Sequence, residues 1–157
     1  MTKKHGFTLI EIIIAVALFI TIGTLTIPMT INFYNSQITN TTTEEIFSAL
    51  KKAQSYSLYR RENSSHGVKF LENNFVVIRG DSYDSDSPLN EVFDLYSIEI
   101  DFGDPPPPDD LINFGLATGL PNWSGVITLT KGNITHQISI CELTGLIEYG
   151  GSCEDND

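Results

Sequence analysis

One stretch near the N-terminus limits everything else. From Phe7 to Ile27 the chain runs through 21 residues with a single charge, Glu11, and with breaks in apolarity worth noting at Thr21 and Gly23-Thr24. As a helix rising about 1.5 Å per residue, this run is roughly 30 Å long, the thickness of a bilayer's hydrocarbon core. The six residues before it, MTKKHG, are short and basic. Lys3 and Lys4 hold that end in the cytoplasm, which places everything after the span on the other side. An ordinary secretory signal has a shorter apolar run and a small-residue cleavage site after it. Here the small residue, Gly6, comes first, and an acid lies inside the run. A lone carboxylate in a spanning helix costs a few kcal/mol unless it finds a partner. A plain anchor has no use for one.

The remaining chain can hold at most one modest globular domain, of a size helped by packing on a neighbour. The net charge of −11 is unevenly spread: six of the nine Lys and Arg fall between Lys51 and Arg79, and after Arg79 there are 15 acids against one base, Lys131. Such a surface repels nucleic acid and anionic lipid, and its ordinary use is to keep an exported protein soluble. The two cysteines, Cys141 and Cys153, stand 12 positions apart. Outside the cytoplasm they could close a short loop by a disulfide contributing about 2–3 kcal/mol. With no histidine nearby they make half a zinc site, so no metal is expected.

Pro28, at the edge of the apolar run, either bends the helix or ends it, since proline removes a backbone hydrogen bond and clashes with the preceding turn. Thr30 to Thr43 is rich in weak helix formers, and Thr42 with Glu45 has the spacing of a capping box that would restart a helix. From Glu44 to Arg61 the pattern is amphipathic, with Ile46, Leu50, Ala53 and Ser57 on one face. It reads as a helix laid on a sheet; overall acidity argues against a DNA-binding helix. Strands follow. Gly67–Phe70 and Phe75–Ile78 flank a turn at Glu72-Asn73-Asn74. Val92 to Phe102 reads as one strand ending in alternation, with Ile98, Ile100 and Phe102 inward. Gly125–Lys131 and Ile134–Cys141 meet at Gly132-Asn133, and Leu146–Tyr149 is a short last strand. Pro105 to Pro108 cannot pair in a sheet and predict an extended loop. The fold class is α+β: a long N-terminal, transmembrane helix followed by a mostly antiparallel β-sheet domain.

The sequence Gly6-Phe7-Thr8-Leu9-Ile10-Glu11 resembles the class III signal of type IV prepilins and type II secretion pseudopilins. The resemblance implies that a prepilin peptidase cuts between Gly6 and Phe7 and methylates the new amino group of Phe7. It gives Glu11 the role of meeting the N-terminal ammonium of an adjacent subunit during assembly, and it makes Pro28 a helix-bending proline. Gly6 suits cleavage, since without a side chain it lets a protease approach the backbone. A buried ion pair of this kind also sets register. The implied parts are a leader over 1–6, a transmembrane and assembly helix over 7–28, a helix continuation over 29–62 and a β-rich globular domain over 63–157. Leu50, Ala53, Tyr56, Gly67-Val68 and Gly80-Asp81-Ser82-Tyr83 are further similar to minor pilins and pseudopilins of the GspH/FimT type. Phe114-Gly115, Gly125, Leu129, Ile138 and Gly145 match the end of that family. The implied partners are the prepilin peptidase, other pilin or pseudopilin subunits, an inner-membrane assembly platform and membrane lipid. The implied location is the cytoplasmic membrane, single-pass with the C-terminal domain outside, and then a filament.

No constellation in the sequence supports catalysis or a cofactor. His5, His66 and His136 are isolated, and a catalytic site needs a poised group with a partner and a pocket. Asp81, Asp84 and Asp86 lack the glycine and terminal glutamate of a calcium loop and read as a solvated turn. The protein is expected to be a structural subunit and not an enzyme. The competing class is a single-pass anchored protein that binds a surface ligand, or DNA during uptake, for which Glu11 would have no purpose.

Overall fold

The computed structural model describes residues 7–142 and 144–150, with the side chains of 25–29 outside the description. One helix, α1 (Leu9–Leu58), is followed by eight strands: β1 (His66–Phe70), β2 (Asn74–Arg79), β3 (Glu91–Asp94), β4 (Glu99–Asp101), β5 (Leu111–Phe114), β6 (Gly125–Lys131), β7 (Ile134–Ile140) and β8 (Ile147–Tyr149). The strands form two antiparallel four-stranded sheets, in the orders β3-β2-β1-β5 and β4-β6-β7-β8. The helix-then-antiparallel-sheet architecture read from the sequence is the one observed. The chain divides into two compact units, 1–35 and 36–157.

In the first unit α1 begins at Thr8, whose carbonyl accepts from the amides of Glu11 at 3.2 Å and Ile12 at 3.3 Å, while its hydroxyl lies 3.4 Å from the Glu11 amide. Those amides would otherwise be orphan donors of the first turn. Helical backbone continues past Pro28 and through Thr42 to Leu58. This corrects two expectations: Pro28 does not end the helix, and Thr42 with Glu45 does not start one. Thr42 is fully buried in mid-helix, and its neighbour Thr43 bonds back to the Thr39 carbonyl at 2.6 Å. The capping spacing Thr-x-x-Glu also occurs at Thr8 and Glu11, and there the hydroxyl does face an open amide. Among the described residues no helix is long and apolar enough to cross a membrane. From the helix start at Leu9 the side chains are described without a break to Thr24, about 24 Å of helix against the roughly 30 Å of a hydrocarbon core. The transmembrane length expected for this helix is therefore not reached by the described residues, and the span expected to end at Ile27 includes side chains outside the description.

In the second unit the C-terminal part of α1 presents Ile46, Ala49, Leu50, Ala53 and Ser57, all buried, at helical spacing. They share one core with Val68, Phe70, Phe75, Val77, Ile112 and Phe114 of the first sheet and Ile127, Leu129, Ile138, Ile140 and Ile147 of the second. An aromatic series stiffens it: Phe93 stacks on Phe75 at 5.0 Å, and Phe102 sets its edge against Phe70 at 5.1 Å and Trp123 at 5.9 Å. Behind the first sheet Val76, Ile78 and Leu111 form a smaller cluster under Leu71 and Tyr83.

Both predicted hairpins form. Phe70 faces Phe75 across the β1–β2 turn, and Lys131 faces Ile134 across Gly132-Asn133. The strand expected over Val92–Phe102 is instead two. Left-handed Tyr96 and Ser97 (φ 50° and 59°) break it, so that β3 pairs with β2 and β4 pairs with β6 in the other sheet. Alternation had read correctly which side chains point inward but not where the backbone changes sheets. Strand β5 had no expectation: its four residues follow the proline loop directly and are too short for a period to show. The proline loop is extended at Pro107 (φ −62°, ψ 144°), then makes a single 3-10 turn over Pro108–Asp110.

Candidate functional site: the N-terminal helical segment

The first turns of α1 are apolar on every side. Ile12, Ile13, Ile14, Val16, Leu18, Phe19, Ile20 and Ile22 are each more than half exposed, and Phe7 is 80% exposed. A helix apolar all round is not finished by its own chain, because each aliphatic side chain left in water forgoes about 1.5–3 kcal/mol of burial. Glu11 lies among them, exposed, and among the described residues it forms no ion pair. The segment thus joins a large apolar surface and one carboxylate near the start of the helix. Chemically it can enter an apolar phase, or a bundle of like helices, and there offer one acceptor for one cation. Gly6, the other half of the expected cleavage site, lies outside the described residues.

The residues singled out for the GspH/FimT resemblance occupy places where elements approach closely. Leu50 and Ala53 lie in the core. A Cβ on Gly67 would meet the Ile112 carbonyl at 2.7 Å, so only glycine lets β5 pair beside β1 there. Gly145 is left-handed (φ 63°), and its carbonyl accepts from Gln54 Nε2 at 2.5 Å, while the same amide reaches the Gly119 carbonyl at 3.1 Å. Gln54 so ties α1 to two loops. Ser57 does the same for β1: its hydroxyl accepts from the His66 amide at 2.7 Å, and its own carbonyl accepts from Ala117 at 2.9 Å. In the sequence Ser57 reads only as a member of the buried helix face, and Gln54 carries no mark of its own. Their polar roles had no signal beyond their being polar on a buried face.

The two described histidines, His66 and His136, each contact an aromatic ring, and His5 lies outside the described residues. His66 sits edge-on to Tyr56 at 5.3 Å, its Nδ1 3.1 Å from the Ser64 carbonyl. Burial lowers its pKa from the ordinary imidazole value; the Ser64 carbonyl and Glu62 oppose the shift, and Arg79 and Arg61 add to it. His136 Nδ1 lies 3.2 Å from the Tyr149 hydroxyl, whose pKa is raised by burial and by the charge of Glu44. Of the three aspartates weighed as a calcium loop, Asp81 accepts from the Ser65 hydroxyl at 2.5 Å and the Asn113 amide at 3.1 Å. Asp84 accepts from the Asp86 backbone at 3.0 Å. Among the described residues no three His, Cys, Asp or Glu side chains are grouped to hold a metal ion. Cys141 follows β7, and the pairing expected with Cys153 lies outside the described residues.

Residues 1–27 match the family model of the prokaryotic N-terminal methylation motif. This matched part is type IV prepilin-like, and it covers the segment whose apolar surface and carboxylate are described above. The resemblance noted at Gly6–Glu11 thus has independent support. No curated protein matches the chain, and no solved structure does.

Proposed function

We propose that the protein is a structural subunit, of the minor kind, of a type IV pilus or type II secretion pseudopilus. A prepilin peptidase cuts after Gly6 on the cytoplasmic face and methylates Phe7. The segment Phe7–Ile27 holds the subunit in the inner membrane, with its β-rich domain outside the cytoplasm. An assembly platform then extracts it into a bundle of like helices. There Glu11 meets the ammonium of a neighbour's Phe7, which resolves the cost of a carboxylate in an apolar setting. Pro28 lets the helix bend as it changes surroundings. Outside the cytoplasm Cys141 and Cys153 close the C-terminal loop by a disulfide.

The observation that carries this reading is the coincidence of the methylation motif with an exposed, all-round apolar helix start holding one carboxylate. The GspH/FimT subtype rests on the residues around Leu50, Gly67 and Gly80. The test is mass spectrometry of the N-terminal peptide from membranes of cells with and without the peptidase. A peptidase-dependent start at Phe7, heavier by one methyl group, supports the reading. An intact Met1 start refutes it and leaves an uncut anchored protein.

A further inference from the structure

The second unit has an open groove of about 900 Å³ where the two sheets end together. Its floor is apolar, from Phe70, Leu95, Ile98, Ile100 and Phe102, and its rim carries Glu72, Glu99 and Asp110. Among the described residues Lys69 is the one cation lining it, and its ammonium donates to the Asp109 carbonyl. Two of its walls end in consecutive left-handed residues without being glycine: Tyr96-Ser97 (φ 50°, 59°) and Asp109-Asp110 (φ 52°, 48°). Such conformations persist where surroundings enforce them and gather at ligand clamps. Strand β4 borders the groove and is an edge: it pairs with β6 alone. An unpaired strand edge over an apolar floor accepts a further extended chain through main-chain hydrogen bonds, with alternate side chains supplying selectivity.

We infer that this groove binds an extended, basic segment of a different protein, added as a strand alongside β4. Acids on the rim select for Lys or Arg, and the floor takes the apolar residues between them. A second copy of this chain does not fit. Its cations outside the leader stand on α1 (Lys51, Lys52), just after it (Arg60, Arg61), and on the interior strands β1, β2 and β6 (Lys69, Arg79, Lys131). Interior strands have no free edge to offer, and Glu99 and Asp101 would meet their own kind if two β4 edges came together.

The probe is a short fluorescent peptide alternating Lys with Val and Ile, titrated against the full chain in neutral detergent micelles. Two control peptides replace Lys by Glu or carry N-methyl groups on alternate amides. Binding by the Lys peptide alone is expected, weakened about tenfold or more by Glu99→Lys or Asp110→Lys and unchanged by Asp86→Lys, a charge reversal in a distant loop. Equal binding of the Glu or N-methylated peptide, no binding, or equal loss with Asp86→Lys would overturn the proposal. Peptidase processing at Phe7 is read separately on the same protein, so a failed groove leaves the filament reading intact.

Discussion

The two units of this chain treat the same kind of side chain in opposite ways. In the first, Ile12, Ile13 and Ile14 are 54–56% exposed; in the second, Ile46, Ile112, Ile127 and Ile138 are fully buried. Isoleucine's preference for leaving water is identical in both. What differs is whether the chain supplies the surface that covers it. Residues 36–150 bring two sheets and part of α1 around one core, so that unit satisfies itself. The start of α1 is a single helix, and a single helix cannot bury all its faces. Its apolar residues have to be covered by something else, lipid or neighbouring helices in the proposed filament. In the proposed filament, stability and assembly would therefore reside in separable stretches of sequence.

Substitutions can break that separation or sharpen it. The largest effect is expected from Glu11→Ala, which should leave cleavage after Gly6 intact and abolish incorporation into filaments. Immunoblots of sheared filaments beside whole membranes measure both, and normal incorporation would remove Glu11 from assembly. Next, Leu50→Ala should destabilise the second unit by about 2–5 kcal/mol through the lost burial and the cavity left behind. Denaturant unfolding followed by the buried Trp123 reads the loss, and N-terminal processing should be unchanged. A processing defect in that variant would show that the two stretches depend on each other.

A smaller effect belongs to His66. Its native pKa lies below the ordinary value near 6.5, so the unfolded chain binds the proton more readily. The neutral form's stabilising contribution is complete above about pH 6.5 and is lost as pH falls from there through the native pKa. Unfolding free energies of wild type and His66→Gln should therefore draw together as pH falls across that window; parallel curves would remove the linkage. The smallest effect should come from Thr42→Val. Among the described residues the buried Thr42 hydroxyl has no hydrogen-bond partner, and replacing it by a methyl group of the same shape should be neutral or stabilising by up to about 1 kcal/mol. A loss beyond 1 kcal/mol would mean that the hydroxyl has a partner in solution.

Local chemistry was legible in the sequence wherever it is local. The amphipathic face Ile46-Leu50-Ala53-Ser57 and the Gly132-Asn133 hairpin depend on residues a few positions apart, and each stands where it was read. The capping spacing Thr-x-x-Glu shows the limit. It occurs at Thr8 and at Thr42, yet only Thr8 stands at a helix start, because at Thr42 the preceding turns are already helical. Strand β5 and the division of Val92–Phe102 into β3 and β4 were hidden for a related reason. Which sheet a short strand joins depends on partners tens of residues away, Val68 for Ile112 and Leu129 for Ile100.

By itself, then, the sequence determined an apolar helix start carrying one acid, and an α+β domain after it, since both follow from composition and period along the chain. Only the tertiary structure decided that the strands divide into two sheets around one core. It also decided that Gln54 and Ser57 tie the helix to distant loops, and that an acidic groove opens beside an unpaired edge. Those features are made by backbone groups brought together across long loops, and backbone groups are the same at every position of a sequence.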